Sequence, residues 1–271
     1  MVGAGHGRQH GPVLVDDQGT AAAVDPPQVR RVVSLVPSLT ESVAVTAPGL
    51  LVGATDWCSH PAGLEVVRVG GTKNPSISDV VALGPDLVLA NEEENRRDDV
   101  GALRAAGLTV WVTAPRSLGE AFGSLRRMLA ACGQDEPEWL DIARRSWSNT
   151  FDAGPLRAAA AVPVWRRPWQ VLGRETFAGD LLRHLGVGNV FGRHPERYPT
   201  VDLAEIAGSG ADLVVLPDEP YRFSRDDGPE SFPGLPVALV SGRHLTWYGP
   251  SLVEARAVLE AQLAVPLPPQ W

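Results

Sequence analysis

The sequence predicts an α/β protein: two Rossmann-like lobes, each with a parallel sheet, joined by a long helix, with a ligand cleft between the lobes. Three observations predict this. Short apolar runs alternate with helical stretches, as parallel strands covered by helices require. One phrase occurs twice: residues 79–94 read DVVALGPDLVLANEEE and residues 202–219 read DLAEIAGSGADLVVLPDE. The second Asp-Leu-Val starts 126 residues after the first, at Asp212 against Asp86. Finally, two helical stretches follow one another mid-chain with no strand between them, dividing the strand–helix series in two.

Residues 1–28 read as an irregular segment in which PVLVDDQG suits a short hairpin. Arg31 to Val36 is a continuous apolar run, expected of a strand buried on both faces. Pro37 stops it, and Ser38 with Glu41 three residues on has the spacing of a capping box. LLVGAT (50–55) is a second strand, Asp79 to Leu83 a short helix and Asp86 to Ala90 a third strand. Arg96 to Ala106 is helical and closed by Gly107, and TVWVT (109–113) is a fourth strand. Ser117 to Ala131 is a helix ending near Gly133. Pro137 then begins the helix assigned to the lobe junction, with a break at Gly154-Pro155.

After the junction the order restarts. PWQVLG (168–173) is a strand, Thr176 to Leu185 a helix closed by Gly186, and GVGNVFG a short strand. TVDLAEIA, DLVVLP (212–217), VALVSG (237–242) and Ser251 to Ala264 supply a helix, two strands and a terminal helix. Five steps thus match in one order, which duplication of a lobe explains better than chance. The organisation expected is an irregular segment 1–28, an N-terminal lobe 29–133, a linking helix 134–163 and a C-terminal lobe 164–271.

Composition sets bounds. The chain has 271 residues, 44% hydrophobic and 21% charged, ordinary for a globular protein. Its net charge of −8 argues against a nucleic-acid binder, which needs a basic face. No run approaches the roughly 18 apolar residues of a membrane span. Two cysteines, Cys58 and Cys132, imply no disulfide framework, though one bridge stays open. The N-terminus carries no apolar signal core, so the expected location is the cytoplasm; an extracytoplasmic location follows if the chain starts downstream of a removed signal. A monomer is expected.

RVVSLVPSLTE, LLVGATDWCSHP, NPSISDVVALGPDLVLA, the long helix and GRETFAGDLLRHLGVGNVF, in that order, resemble the substrate-binding proteins of ABC importers. The likeness is to the cobalamin- and iron-siderophore-binding group, the helical backbone metal receptors, and covers about residues 29–264. It implies two lobes on a rigid helix, a ligand between them, small motion on binding, and a permease partner if the protein is exported. It implies no enzymatic activity and no required cofactor; cobalamin or a ferric chelate would be the ligand. In this family an aromatic in the loop after the second strand packs on the ligand, which points to Trp57.

Open parallel sheets bind ligands beyond the carboxyl ends of their strands, and that rule selects further residues. Cys58 and His60 follow Trp57, two apart, the spacing of a loop that aims both at a soft metal or, alternatively, of a packed thiol beside a surface imidazole. After DLVLA come Glu92, Glu93 and Glu94, and the matching second-lobe loop holds Asp218, Glu219 and Tyr221. Two acidic loops on one cleft favour a cationic or metal-bearing ligand; a solvated helix start explains the first equally well. Arg174 follows a second-lobe strand and suits a ligand carboxylate or phosphate, or a bridge to Glu175 or Asp180. His244, Trp247 and Tyr248 lie in one loop, the histidine as axial ligand or donor and the rings as a stacking surface. A second expectation is a bare-metal site of His60, Glu92, Glu93 and His244. A third is a cytoplasmic enzyme or regulator reusing the fold for a small metabolite, although no nucleophile elbow, phosphate loop or zinc-protease motif is present.

Overall fold

The structure is a computed structural model, and it describes residues 14–151 and 154–269. The first lobe opens with β1 (Val32–Ser34), α1 (Pro37–Thr46), β2 (Leu51–Ala54) and β3 (Val67–Arg68). A two-stranded hairpin, β4 (Gly70–Gly71) with β5 (Asn74–Pro75), leads to α2 (Ile77–Ala82), β6 (Leu87–Asn91), α3 (Arg97–Ala105) and β7 (Val110–Thr113). Helices α4 (Leu118–Ala131) and α5 (Glu138–Trp147) pass to the second lobe. That lobe comprises β8 (Ala158–Ala161), β9 (Pro163–Arg166), β10 (Trp169–Val171), α6 (Phe177–His184) and β11 (Val187–Asn189). It continues through α7 (Leu203–Gly208), β12 (Leu213–Pro217), β13 (Val237–Val240) and α8 (Gly242–Thr246) to α9 (Leu252–Leu263).

Each lobe carries a parallel sheet. The first runs β3-β2-β1-β6-β7 and the second β11-β8-β12-β13. The orders β2-β1-β6-β7 and β11-β8-β12-β13 are the same topology, so the repeat seen in the sequence is a repeat of the fold. The duplicated Asp has one structural job in both copies. Asp86 accepts from the amides of Arg30 and Arg31 beside β1, and Asp212 accepts from the amide of Ala159 in β8. Each ties its own strand to the lobe's first strand. Gly84 and Gly210, each two residues ahead of that Asp, have φ of 53° and 77°, the left-handed turn that lets helix give way to strand.

Three details differ from the sequence reading. The lobe-joining helix, expected over 134–163, is α5 alone, and the chain is already a strand at Ala158. The run RAAAAVPV has high helix propensity, but between β11 and β12 its small side chains suit a strand covered on both faces, and tertiary context overrides propensity. PWQVLG is therefore not the first parallel strand; it is β10, antiparallel to β9 in a hairpin. Ser38 caps nothing. Helix α1 starts one residue earlier, with Pro37 at its first turn and Val36 at the cap, so Ser38 and Glu41 both lie buried inside it.

At the N-terminus, Val15 bridges Ala21 around a turn in which Asp16 accepts from Gln18 and Thr20; Pro12 and Val13 of the expected hairpin lie outside the described residues. The main core runs through both lobes, linking Leu39 and Leu125 to Trp147, Leu181 and Leu252. Trp147, fully buried, donates its indole N–H to Leu252 O at 2.9 Å and so fastens α5 to the second lobe. Cys58 and Cys132 are both buried free thiols, which closes the disulfide alternative. Among the described residues no helix is long and apolar enough to cross a membrane.

Candidate functional site

Loops beyond the strand ends of the two sheets meet across the lobes, through Arg116 with Glu175, Arg197 with Glu93 and Arg243 with Glu41, and this junction is the candidate cleft. From the first lobe come the segments after β2 (Thr55–His60), β6 (Asn91–Arg96) and β7 (Ala114–Ser117). From the second come those after β10, β11, β12 and β13.

The triple glutamate is set by two buried asparagines. Asn91 Oδ1 accepts from the amides of Glu93 and Glu94, at 2.7 and 3.1 Å, and Asn95 Oδ1 accepts from Asn91 N. Asn95 Nδ2 in turn holds Leu35 O and Thr72 O. The frame Asn-x-x-x-Asn is thus packed away at about 5% exposure, and the three glutamates project from it. Glu92 and Glu93 meet cations of the second lobe: Arg197 donates to Glu92 at 3.3 Å and also to Glu93, and Tyr198 donates to Glu93 at 2.5 Å. Arg116 lies 3.6 Å from Glu92 and 3.2 Å from Glu175. Among the described residues no hydrogen bond reaches the Glu94 carboxylate. Burial first, then Glu93 and Glu219 against the relief of Lys73, raise its pKa to about 7. Glu219, from the second acidic loop, is also raised, chiefly by burial and then by Asp218. The two acidic loops therefore do face one another.

Trp57 is 68% exposed, large for an indole. It stands against Gly71, where an added Cβ would come within 3.5 Å of its Nε1. His60 sits edge-on to Trp247, ring centres 5.4 Å apart, with Nδ1 3.1 Å from Ser59 Oγ. Its basicity is lowered, by burial first and then by Arg243. Trp247 is buried and donates its indole N–H to Glu219 at 3.1 Å, with the Arg243 guanidinium 6.0 Å over its ring. Arg243 also pairs with Glu41 of α1, an ion pair across the lobes with side-chain exposures of 20% and 5%. Gly242 lets this happen: a Cβ there would lie 2.5 Å from Glu219 N.

The structure therefore gathers Trp57, His60, Glu92, Glu93 and Trp247 at the cleft. It places four expected residues elsewhere. Tyr248 is buried, its hydroxyl 2.6 Å from Asn91 Nδ2 and 2.8 Å from Thr113 Oγ1, so it braces the lobes and offers no stacking face. Tyr221 packs on Trp165 and Phe223 and donates to Asp227, inside the second lobe. His244 is turned to Ser241 and to Glu254 of α9. Arg174 is exposed at the end of β10 and takes no part in the ion pairs among the described residues. Cys58 is held by Thr40 and Thr55 with its thiol pushed up by burial, a packed residue. Among the described residues no three His, Cys, Asp or Glu stand together as a metal-binding group, so the bare-metal quartet does not share one ion. Sequence reasoning missed Arg197, Tyr198, Arg116, Lys73 and Arg243, which sit in loops or short turns without periodic signal; only their position beyond strand ends marks them.

No protein-family model matches the chain. It is 31% identical over 129 residues to an uncharacterized ABC transporter substrate-binding lipoprotein of Bacillus subtilis, covering 46% of this chain and 41% of that one. It is 29% identical over 184 residues to a vitamin B12-binding protein of Vibrio cholerae, covering 65% and 66%. The chain thus spans under half of the first relative and about two thirds of the second. Among solved structures, the periplasmic vitamin B12-binding protein of Vibrio cholerae aligns with a TM-score of 0.69 at 17% identity, covering 87% of this chain and 97% of that one. Helicobacter pylori CeuE with nickel bound aligns with a TM-score of 0.78 at 13% identity, covering 93% and 88%. These likenesses bear out the fold and the resemblance to ABC-importer binding proteins. They overturn the expectation of a cytoplasmic protein, since the relatives are named as a lipoprotein and as periplasmic proteins, and none is named as an enzyme.

Proposed function

We propose that this chain is an extracytoplasmic substrate-binding component of an ABC importer. It holds a metal chelate, of corrinoid, haem or ferric-siderophore type, between its lobes and passes it to a permease. The observation that carries the reading is Trp57: an indole 68% exposed beyond a parallel strand end, beside an acidic and partly dehydrated cleft wall. A surface that large and apolar is costly to leave in water, and a flat or bulky chelate covers it. The relatives supply the ligand class: vitamin B12 in the named relatives, haem and Ni(II) among proteins of the same fold.

The chelate rests its apolar face on Trp57 in this reading, with His60 and the Trp247 edge at the base. Glu93 and Glu94 receive its hydrogen-bond donors. Tryptophan fluorescence titration with cobalamin, haem and ferric siderophores tests this. At least one is expected to quench with a Kd of about micromolar or below. Failure of all of them to bind below about 1 mM removes the reading.

A further inference from the structure

We propose that Arg197 and Tyr198 form a clasp across the cleft, and that a ligand enters by replacing them on Glu92 and Glu93 with its own hydrogen-bond donors or positive charge. The proposal rests on the cleft being the ligand site. Both residues lie in the loop between β11 and α7. That loop is fixed to its own lobe: Arg197 O accepts from Gly173 N at 2.7 Å, and Arg197 Nε donates to Glu175 O at 3.3 Å. Its backbone runs so close over Gly173 that a Cβ there would strike Glu196 O. Everything else the two side chains hold belongs to the first lobe. One guanidinium spans Glu92 and Glu93, and the phenol takes the second oxygen of Glu93.

The clasp is built to open. Its ion-pair side chains keep 23–31% exposure and Tyr198 keeps 38%, so water can replace each contact. Of the other cross-lobe ion pairs, Arg116 with Glu175 is more exposed still, whereas Glu41 with Arg243 is far more enclosed. Opening removes the second-lobe partners of Glu92 and Glu93 beside Glu94, leaving only Arg116 near Glu92 and Lys73 near Glu94 among the described residues. A ligand rich in amides or amines satisfies these glutamates; one that brings carboxylates adds to the repulsion. The clasp thus selects donor-rich chelates as it yields.

Spin labels at Ala105→Cys in α3 and Ala204→Cys in α7, both exposed, read the lobe separation without any ligand; the native thiols are buried. A narrow distance distribution is expected, broadened by Arg197→Gln and by about 1 M salt, and unchanged by Arg193→Gln on the same loop. An Arg197→Gln distribution identical to the parent overturns the clasp. Stopped-flow association of cobalamin, whose periphery is amide-rich, is expected to quicken roughly tenfold in Arg197→Gln; an unchanged rate with cobalamin bound also overturns it. Binding of no chelate to either protein removes the ligand reading and the selection it implies, while the label distances still decide the clasp.

Discussion

Replacing Arg243 with Met breaks the enclosed lobe-to-lobe ion pair, together with a more exposed contact to Glu254. Glu41 is 4% exposed, and its Oε2 already has no partner among the described residues. Among the described residues its only side-chain hydrogen bond is from Arg243. The substitution therefore leaves a carboxylate buried and alone, a change that costs about 3–5 kcal/mol for a fully buried pair. Arg243 keeps some water contact, which puts the expectation near the lower end, about 3 kcal/mol. For a chain of this size each kcal/mol moves Tm by roughly 2–4 °C, so Arg243→Met is expected to melt about 6–12 °C below the parent. The double variant Glu41→Leu with Arg243→Met removes the stranded charge and is expected to recover most of the loss. Calorimetric melting of the parent, both single variants and the double variant forms the cycle. A loss below about 1 kcal/mol in Arg243→Met, or a double variant no better than it, would refute the argument from desolvation.

Three further outcomes are expected. Glu94 has its folded-state pKa raised from 4.5 to about 7, so the folded state binds the proton more tightly than the unfolded one. Its effect on stability is absent below about 4.5, grows unfavourable as pH rises to about 7 and is constant above; Glu94→Gln should remove that decline, worth at most about 3 kcal/mol, in pH-dependent denaturant melts, and an unchanged pH profile contradicts it. Trp57→Ala should leave Tm within about 1 °C, because the indole is mostly exposed, yet weaken chelate binding by about 2 kcal/mol in titration; equal losses in both would make Trp57 a packing residue. Tyr248→Phe should cost about 1–2 kcal/mol of stability through the orphaned Asn91 and Thr113 groups, with chelate affinity nearly unchanged.

What the sequence made legible follows from burial. Strands such as DLVLA and DLVVLP are covered on both faces, so their apolar runs are continuous and the lobes show as a repeat. The repeated Asp was visible because both copies need the same backbone acceptor. Ala158–Ala161 was not legible as a strand, because alanine says helix locally and only the flanking strands decide otherwise. Ser38 and Glu41 carried capping-box spacing, but Pro37 starts the helix, which frees Glu41 to meet Arg243, 202 residues away. The cleft was legible where a residue type is costly outside a core, as with Trp57. It was illegible where function lies in pairs, since nothing in the local sequence of Arg197 and Tyr198 points to Glu92 and Glu93.

The central claim is that the cleft holds a chelate and not a bare ion. Calorimetric titration of one protein sample with a metal chelate and with the same metal as a simple salt decides it. The account predicts one site per chain for at least one chelate, at micromolar Kd or tighter, and no saturable heat from the salts. Saturable binding of the free ion with no chelate binding would contradict it.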